Sequence, residues 1–299
     1  MTEASGPDFR AGFVAVAGRP NTGKSTLVNA LCGGKVAIVS DRPQTTRRAV
    51  RGIRTTGEYQ MVFVDTPGIH KPRTLLGERL NSLARGTLSE GDMGVLVVDA
   101  AAGVGRGDAF VSAWVLEACP RALAVVNKVD VASRDDVAKA LVDVAELGDF
   151  DEYVPLSAAR GTGVDLLAGL LAERLPEGPA FYPDEMRTDT PLDVQVAEVI
   201  REKLISAVTD ELPHSVAVVV ENMSRRDDGL FEIEARVLVE RDSQKGIVIG
   251  KGGAVLRDAG TTARGELEVL LGDRVYLDLR VGVEKDWQRR PRSLQRLGF

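Results

Sequence analysis

The chain has 299 residues, 44% of them hydrophobic and 27% charged, a composition that fits a soluble globular protein and excludes a disordered or fibrous one. That length is about twice a typical domain, so two domains are expected. The net charge is −6, with 21 basic and 25 acidic side chains in residues 1–190 and 17 and 19 in residues 191–299, so neither half is a polyanion binder over its whole surface.

The N-terminus, MTEASGPDFRAGF, has no apolar core of signal-peptide length, and no run elsewhere is long enough to span a bilayer. Cys32 and Cys119 stand alone, without CxxC or disulfide-framework spacing, and read as buried small hydrophobes in a reducing compartment. A cytoplasmic protein is expected. From Phe13 to about Pro176 the chain alternates apolar β-type runs with helical stretches, the signature of an α/β fold with a mostly parallel sheet. The runs are FVAVA (13–17), YQMVFV (59–64), GVLVV (94–98), ALAVV (122–126) and YVPL (153–156). All but GVLVV lead into a recognisable polar loop: GRPNTGKS, DTPG, NKVD and SAARG. KSTLVNALCG (24–33) and GVDLLAGLLAERL (163–175) read as helices. AVRGIR (49–54) is joined to Tyr59 by TTGE and reads as the antiparallel arm of a hairpin.

The loop Gly18-Arg19-Pro20-Asn21-Thr22-Gly23-Lys24-Ser25, followed by Thr26, fits G-x-x-x-x-G-K-[ST] between a strand and a helix. In that setting backbone N–H groups wrap a β-phosphate, Lys24 reaches the β- and γ-oxygens, and the Ser25 hydroxyl ligates Mg²⁺. In Asp65-Thr66-Pro67-Gly68, Asp65 is placed to hold Mg²⁺ and the Gly68 N–H to meet a γ-phosphate; an ordinary turn is the alternative. NKVD selects the base. Asp130 can accept from the N1–H and 2-amino group of guanine, donors that adenine lacks on that edge, and such a mismatch can cost about 10⁴-fold. Asn127 and Lys128 brace the loop and cover the base. Ser157-Ala158-Ala159 offers a backbone N–H to guanine O6. Four such loops in order favour GTP and GDP over ATP. Of Thr45 and Thr46, Thr46 is the candidate to complete Mg²⁺ coordination when γ-phosphate is present, as part of a mobile switch.

Four prolines, Pro176, Pro179, Pro183 and Pro191, mark a linker, and the element order changes after it. A helix (193–211), strands at 215–223 and 230–240, a short helix, a helix at 254–271 and a strand at 275–281 give α-β-β-α-α-β. Between the two later helices lies Ile249-Gly250-Lys251-Gly252-Gly253. That order with a GxxG loop matches a type II KH domain, which clamps about four backbone nucleotides of a single strand. Ile247, Val248, Ile249, Val255 and Leu256 read as an apolar floor for bases, and Arg257 lies one turn on. Positive charge gathers at Arg241, Lys245, Lys251, Arg257 and Arg264, and again at Lys285, Arg289, Arg290, Arg292 and Arg296; a solvated basic face is the plain alternative.

GRPNTGKS, QTTRR, DTPGIH, NKVD and SAARGTGV, followed by IVIGKGG and a closing RSLQRLGF, resemble the Era branch of the TrmE–Era–EngA GTPases over essentially the whole chain. The resemblance implies a GTPase domain at 9–177, a linker at 178–191 and a smaller α+β type II KH domain with a basic tail at 192–299. It further implies GTP hydrolysis, binding to the 3′ end of 16S rRNA, a role in 30S subunit maturation, and a monomer. Membrane association, or a protein-recruiting module built on the KH fold, stays open beside it. So does an RNA-binding protein that its nucleotide merely stabilises. Thr22 stands where many relatives have valine. Ile69 follows DTPG where Ras-like proteins carry a water-orienting glutamine, so hydrolysis is expected to be slow or helped. In TrmE-like relatives the residue at Asn21 helps hold a potassium ion beside the phosphates; plain scaffolding is the alternative here. Lys24, Thr46, Gly68 and Asn21 are therefore the catalytic candidates.

Overall fold

The computed structural model describes residues 9–42, 45–69, 71–72, 74–208 and 212–299, without the side chains of Pro213 and His214. The first eight residues, Pro43, Gln44 of the QTTRR segment, His70 of DTPGIH, Arg73 and the 209–211 end of the first C-terminal helix lie outside it. The chain divides into two compact units, one ending at Asp189 and the other running from Thr190, with Ser40–Thr45 and Thr74–Leu76 assigned to the second. Among the described residues no helix is long and apolar enough to cross a membrane.

The first unit is a six-stranded sheet of β1 (Arg10–Ala17), β2 (Val50–Thr55), β3 (Tyr59–Asp65), β4 (Met93–Asp99), β5 (Ala122–Asn127) and β6 (Glu152–Pro155) in the order β2-β3-β1-β4-β5-β6. Every pairing is parallel except β2 with β3, the expected hairpin. Helices α1 (Lys24–Leu31), α2 (Leu75–Glu90), α3 (Arg106–Ala118) and α4 (Arg134–Ala145) connect the strands, and α5 (Val164–Ala172) follows β6. The β-branched runs are buried on both faces: Val14, Val16, Val95 and Val125 pack with Leu27 of α1 and Leu167 of α5. Ala15, Leu96 and Val126 pack instead with Leu88 of α2, Val111 of α3 and Val144 of α4. This is why the strands read as continuous apolar runs without alternation. Strand order reverses at β1, so the crevice beyond its carboxyl end falls at the switch point where such sheets bind ligands.

The second unit holds α6 (Leu192–Ala207), α7 (Leu212–Ser215), β7 (Ala217–Arg225), β8 (Phe231–Val239), α8 (Asp242–Ile249), α9 (Ala254–Leu271), β9 (Val275–Val283) and α10 (Pro291–Arg296). β7 and β8 pair antiparallel, with a register shift between Val220 and Asn222, and β8 pairs β9 in parallel. One face of this sheet packs on Val196, Ile200 and Leu204 of α6 and on Ala263 and Leu267 of α9. Trp287, fully buried, donates its indole N–H to the Ser215 carbonyl at 3.0 Å and stacks on Phe299 with centroids 5.8 Å apart. The tail is thus pinned while Arg289, Arg290, Arg292 and Arg296 stay exposed.

The proline-rich linker is not loose. Gln60 of β3, fully buried, accepts the Phe181 and Tyr182 N–H groups on Oε1 at 2.7 and 2.9 Å and donates from Nε2 to the Tyr182 carbonyl at 2.8 Å. The Ile53 N–H of β2 donates to the Arg187 carbonyl, and Arg51 and the Tyr182 hydroxyl both hold Asp189. The strap is fastened to the sheet up to Asp189. Gln60→Leu removes every one of these side-chain bonds and leaves two backbone donors unpaired. It is expected to cost about 2–3 kcal/mol in urea unfolding and to speed hydrogen exchange at the Phe181 and Tyr182 amides. Unchanged protection of those two amides would mean that the strap is held by something else.

Candidate functional site

The strand-end loops of the first unit meet around the start of α1. Gly23 takes a left-handed φ of 91°, and a Cβ there would lie 2.3 Å from Asn127 Nδ2, so both conformation and contact demand glycine. Lys24 then opens the helix. It is buried, and its Nζ donates to the Arg19 carbonyl at 2.7 Å. Burial lowers the Lys24 pKa to about 8 against the opposing pull of Asp65. Thr22 is buried with its hydroxyl on the Arg19 carbonyl at 3.1 Å, so it braces the loop from inside. Pro20 lies against Gly68: a Cβ on Gly68 would come within 2.9 Å of the Pro20 backbone.

Three oxygen-bearing side chains converge beside the loop. Ser25 Oγ donates to Asp65 Oδ2 at 2.6 Å, Thr46 Oγ1 donates to the same oxygen at 3.1 Å, and the two hydroxyls are 2.9 Å apart. Asp65 Oδ1 is buried without a hydrogen-bond partner. Burial raises the Asp65 carboxyl's pKa, opposed by Lys24, Ser25 and Thr46. A hard-oxygen set with an orphaned carboxylate oxygen fits Mg²⁺. The two threonines have different partners: the Thr45 hydroxyl donates to the Arg42 carbonyl at 2.5 Å. Thr66 is fully buried with its hydroxyl on the Val16 carbonyl at 2.8 Å, so its side chain secures the loop to β1. Ile69 is likewise core, packed among residues such as Ala84 and Leu88.

The base-side loops are tied to the phosphate side. Asn127 Nδ2 donates to the Thr22 carbonyl at 2.9 Å, and Lys128 Nζ donates to the Asn21 carbonyl at 2.7 Å. Asn21 and Lys128 both adopt left-handed φ, 65° and 66°, which costs non-glycine residues strain. Asp130 Oδ1 accepts from the Ser157 hydroxyl at 2.6 Å, which draws its carboxyl below the usual range. The Ala158 N–H donates to Asn127 Oδ1 at 3.0 Å, so within Ser157-Ala158-Ala159 that amide is already engaged. Thr26 lies in the first turn of α1, just past the phosphate loop, and Pro67 lies in the loop after β3. Sequence reasoning missed Asp99 and Asp108. Asp99 holds Lys128 at 2.6 Å, and the fully buried Asp108 holds Arg19 Nε at 2.8 Å. The available signal was positional: Asp99 ends β4 as Asp65 ends β3.

In the second unit α8 stops at Gly250 (φ 73°), and Gly252 (φ 61°) interrupts the turn before α9 begins at Ala254. Lys251 and Gly252 are exposed, and Arg257 Nη2 donates to the Gly252 carbonyl at 3.0 Å. Arg241, Lys251, Arg257 and Arg264 are all exposed. The apolar floor needs one correction. Val248 is fully buried in the core, whereas Ile247 is exposed and Ile249, Val255 and Leu256 are half-buried, the last two packed against that core.

A family model for a 50S ribosome-binding GTPase matches residues 13–128, and one for a KH domain matches residues 211–288. GTPase Era of Mycobacterium sp. (strain KMS) is 54% identical over 297 residues, 98% of this chain and 99% of the relative. GTPase Era of Mycobacterium tuberculosis (strain ATCC 25177 / H37Ra) is 52% identical over 298 residues, with the same coverage. Among solved structures, a Tyr-to-Ala variant of Aquifex aeolicus Era bound to GDP and AlF4⁻ superposes with a TM-score of 0.92 at 36% identity. Era in complex with MgGDPNP and nucleotides 1506–1542 of 16S ribosomal RNA gives 0.93, also at 36% identity. Each covers 97% of this chain and 99% of the solved one.

Proposed function

The chain belongs to the Era family of GTPases, a P-loop GTPase domain followed by a KH domain, and from that premise we propose that it is a guanine-nucleotide switch that binds the 3′ end of 16S rRNA and assists 30S subunit assembly in the cytoplasm. On this reading residues 9–177 carry the nucleotide, residues 178–191 join the parts, and residues 192–299 carry RNA. The observation that carries the switch is the convergence of Ser25, Thr46 and Asp65 beside Lys24, with Asp65 Oδ1 unpaired. Those three residues would hold Mg²⁺, which supplies charge neutralisation between the β- and γ-phosphates. Thr46 answers to the γ-phosphate through the same cluster, so loss of that phosphate releases the segment it belongs to.

Lys24 takes the β- and γ-oxygens in place of the Arg19 carbonyl it now holds, and the Gly68 N–H meets the γ-phosphate. Asp130 accepts from guanine N1–H and the 2-amino group. With the Ala158 amide engaged by Asn127, the Ala159 N–H is the donor for guanine O6. Ile69 is buried and has no polar atom to orient the attacking water, so the help comes from elsewhere. Asn21 is the residue that would hold a potassium ion, which would supply positive charge beside the phosphates. In the second unit the Gly250-Lys251-Gly252-Gly253 loop, exposed at Lys251 and Gly252, grips the ribose-phosphate strand, with Arg257 adding charge and Ile249 an apolar contact.

Asp130→Asn is expected to move preference from guanosine to xanthosine nucleotides, because its NH₂ can donate to the xanthine 2-carbonyl; unaltered GTP affinity in a titration would refute the base assignment. Phosphate release at matched ionic strength is expected to be faster in KCl than in NaCl, and equal rates remove potassium from the site. Space around Gly252 is open but its left-handed φ of 61° strains any side chain, so Lys251→Asp with Gly252→Asp alters both the charge and the backbone turn of the loop. That double variant is expected to weaken binding of a 16S 3′-end oligonucleotide by about two orders of magnitude while basal GTPase survives. Retained RNA affinity would take the clamp away from this loop and favour a protein-recruiting role.

A further inference from the structure

β4 is the parallel strand whose end matches no nucleotide loop in the sequence, and the segment beyond it, residues 99–108, touches two of the loops that do, the phosphate loop and the NKVD loop. Asp99 lies in register with Asn127 on β5. Its Oδ2 pairs with Lys128 Nζ at 2.6 Å, while its Oδ1 accepts the Ala101 and Ala102 N–H groups at 2.9 and 3.1 Å. The Ala100 N–H donates to the Asn127 carbonyl at 2.9 Å. Further along, the Gly103 carbonyl accepts Arg19 Nη2 at 3.0 Å, and Asp108 accepts Arg19 Nε on Oδ1 at 2.8 Å and the Gly105 N–H on Oδ2 at 2.9 Å. Asp108 is fully buried, whereas the Arg19 side chain keeps about a third of its surface, 32%.

These contacts form a closed circuit. Arg19 and Asn21 are two residues apart in the phosphate loop. Arg19 is held directly by Asp108 and Gly103, and Asn21 is held through Lys128, which Asp99 holds in turn. The Arg19 carbonyl is also the acceptor for Lys24 and Thr22. Holding the Arg19 guanidinium therefore fixes the peptide on which the phosphate-binding lysine rests. Two left-handed non-glycine residues, Asn21 and Lys128, meet within this circuit, and strained conformations persist where their surroundings over-determine them.

We propose that the β4–α3 connection is a brace for the nucleotide site, with Asp108 and Asp99 as positioning residues: Asp108 acts through Arg19 on the phosphate loop, and Asp99 acts through Lys128 on the base loop. Neither touches nucleotide. The brace holds the two loops at a fixed spacing before ligand arrives, so less ordering remains to oppose binding. The inference rests on the assignment of these loops to a guanine nucleotide made above.

The test is GDP release from the full chain, followed with N-methylanthraniloyl-GDP by stopped flow, for Asp108→Asn, Arg19→Met and the double variant. Asp108→Asn keeps an acceptor for the Gly105 N–H but removes the charge from Arg19. It is expected to speed release about tenfold while kcat at saturating GTP moves far less. Because the aspartate acts only through the guanidinium, the double variant should release GDP no faster than Arg19→Met alone. Asp99→Asn should also speed release while guanosine stays preferred over xanthosine nucleotides. Release unchanged in Asp108→Asn, or effects of the two substitutions that multiply, would overturn the proposal. Should Asp108→Asn not fold, Arg19→Met decides, since its side chain is partly in solvent: unchanged release there overturns the brace. An unsubstituted chain that failed to bind the labelled GDP would instead sink the nucleotide assignment itself.

Discussion

The carboxamide of Asn127 holds the nucleotide half of this molecule in register. It is 2% exposed, and it joins three loops that lie far apart in sequence. Its nitrogen donates to the Thr22 carbonyl and its oxygen accepts the Ala158 N–H. A buried amide is costly unless both ends are paired, so the phosphate loop, the NKVD loop and the SAA loop settle where that pairing is satisfied. Aspartate would lose the donor and leucine both bonds. Gly23 is part of the same constraint, because any side chain there would collide with the amide.

Around that fixed point the charges are arranged for a ligand. Burial draws Lys24 down to about 8 and Asp65 upward, so each is pushed toward its neutral form although the other stands nearby. Two opposite charges that do not fully satisfy one another suit a site for a polyphosphate and a divalent cation: a phosphate would complete the lysine's pairing and a cation the carboxylate's. Ile69 shows the other side of the design. Turned into the core, it stabilises the sheet and contributes nothing to water, so the fold alone supplies binding without a side chain at that position for hydrolysis.

The second unit uses glycine for a different purpose. In the first, glycine lets one buried group approach another. In the Gly250–Gly253 loop it lets the backbone turn sharply and stay in solvent, with Lys251 exposed at the bend. A chain with net charge −6 presents cations there because Arg241, Lys245, Lys251, Arg257 and Arg264 stand against only Asp242 and Asp258 in that stretch. Local charge decides what a surface attracts.

Strands, motif order and the change of architecture after the linker were legible in the residues. Apolar β-branched runs form buried strands wherever they can be covered, and a phosphate loop is defined by a strand, a tight turn and a helix that are neighbours in sequence. What the sequence alone could not display were contacts between distant residues. Arg19 and Asp108 are 89 positions apart, and Asp99 before Ala-Ala reads as an ordinary turn. Gln60 looks like a polar residue in a strand, yet it is buried to fasten a linker whose prolines suggest looseness. Val248 looks like part of a ligand flank and lies in the core. Local sequence determined the elements and their chemistry, because dihedral preference and hydrophobic periodicity act over a few residues. The tertiary structure decided which polar groups brace the site, because a buried donor takes whichever acceptor the packed sheet brings within reach.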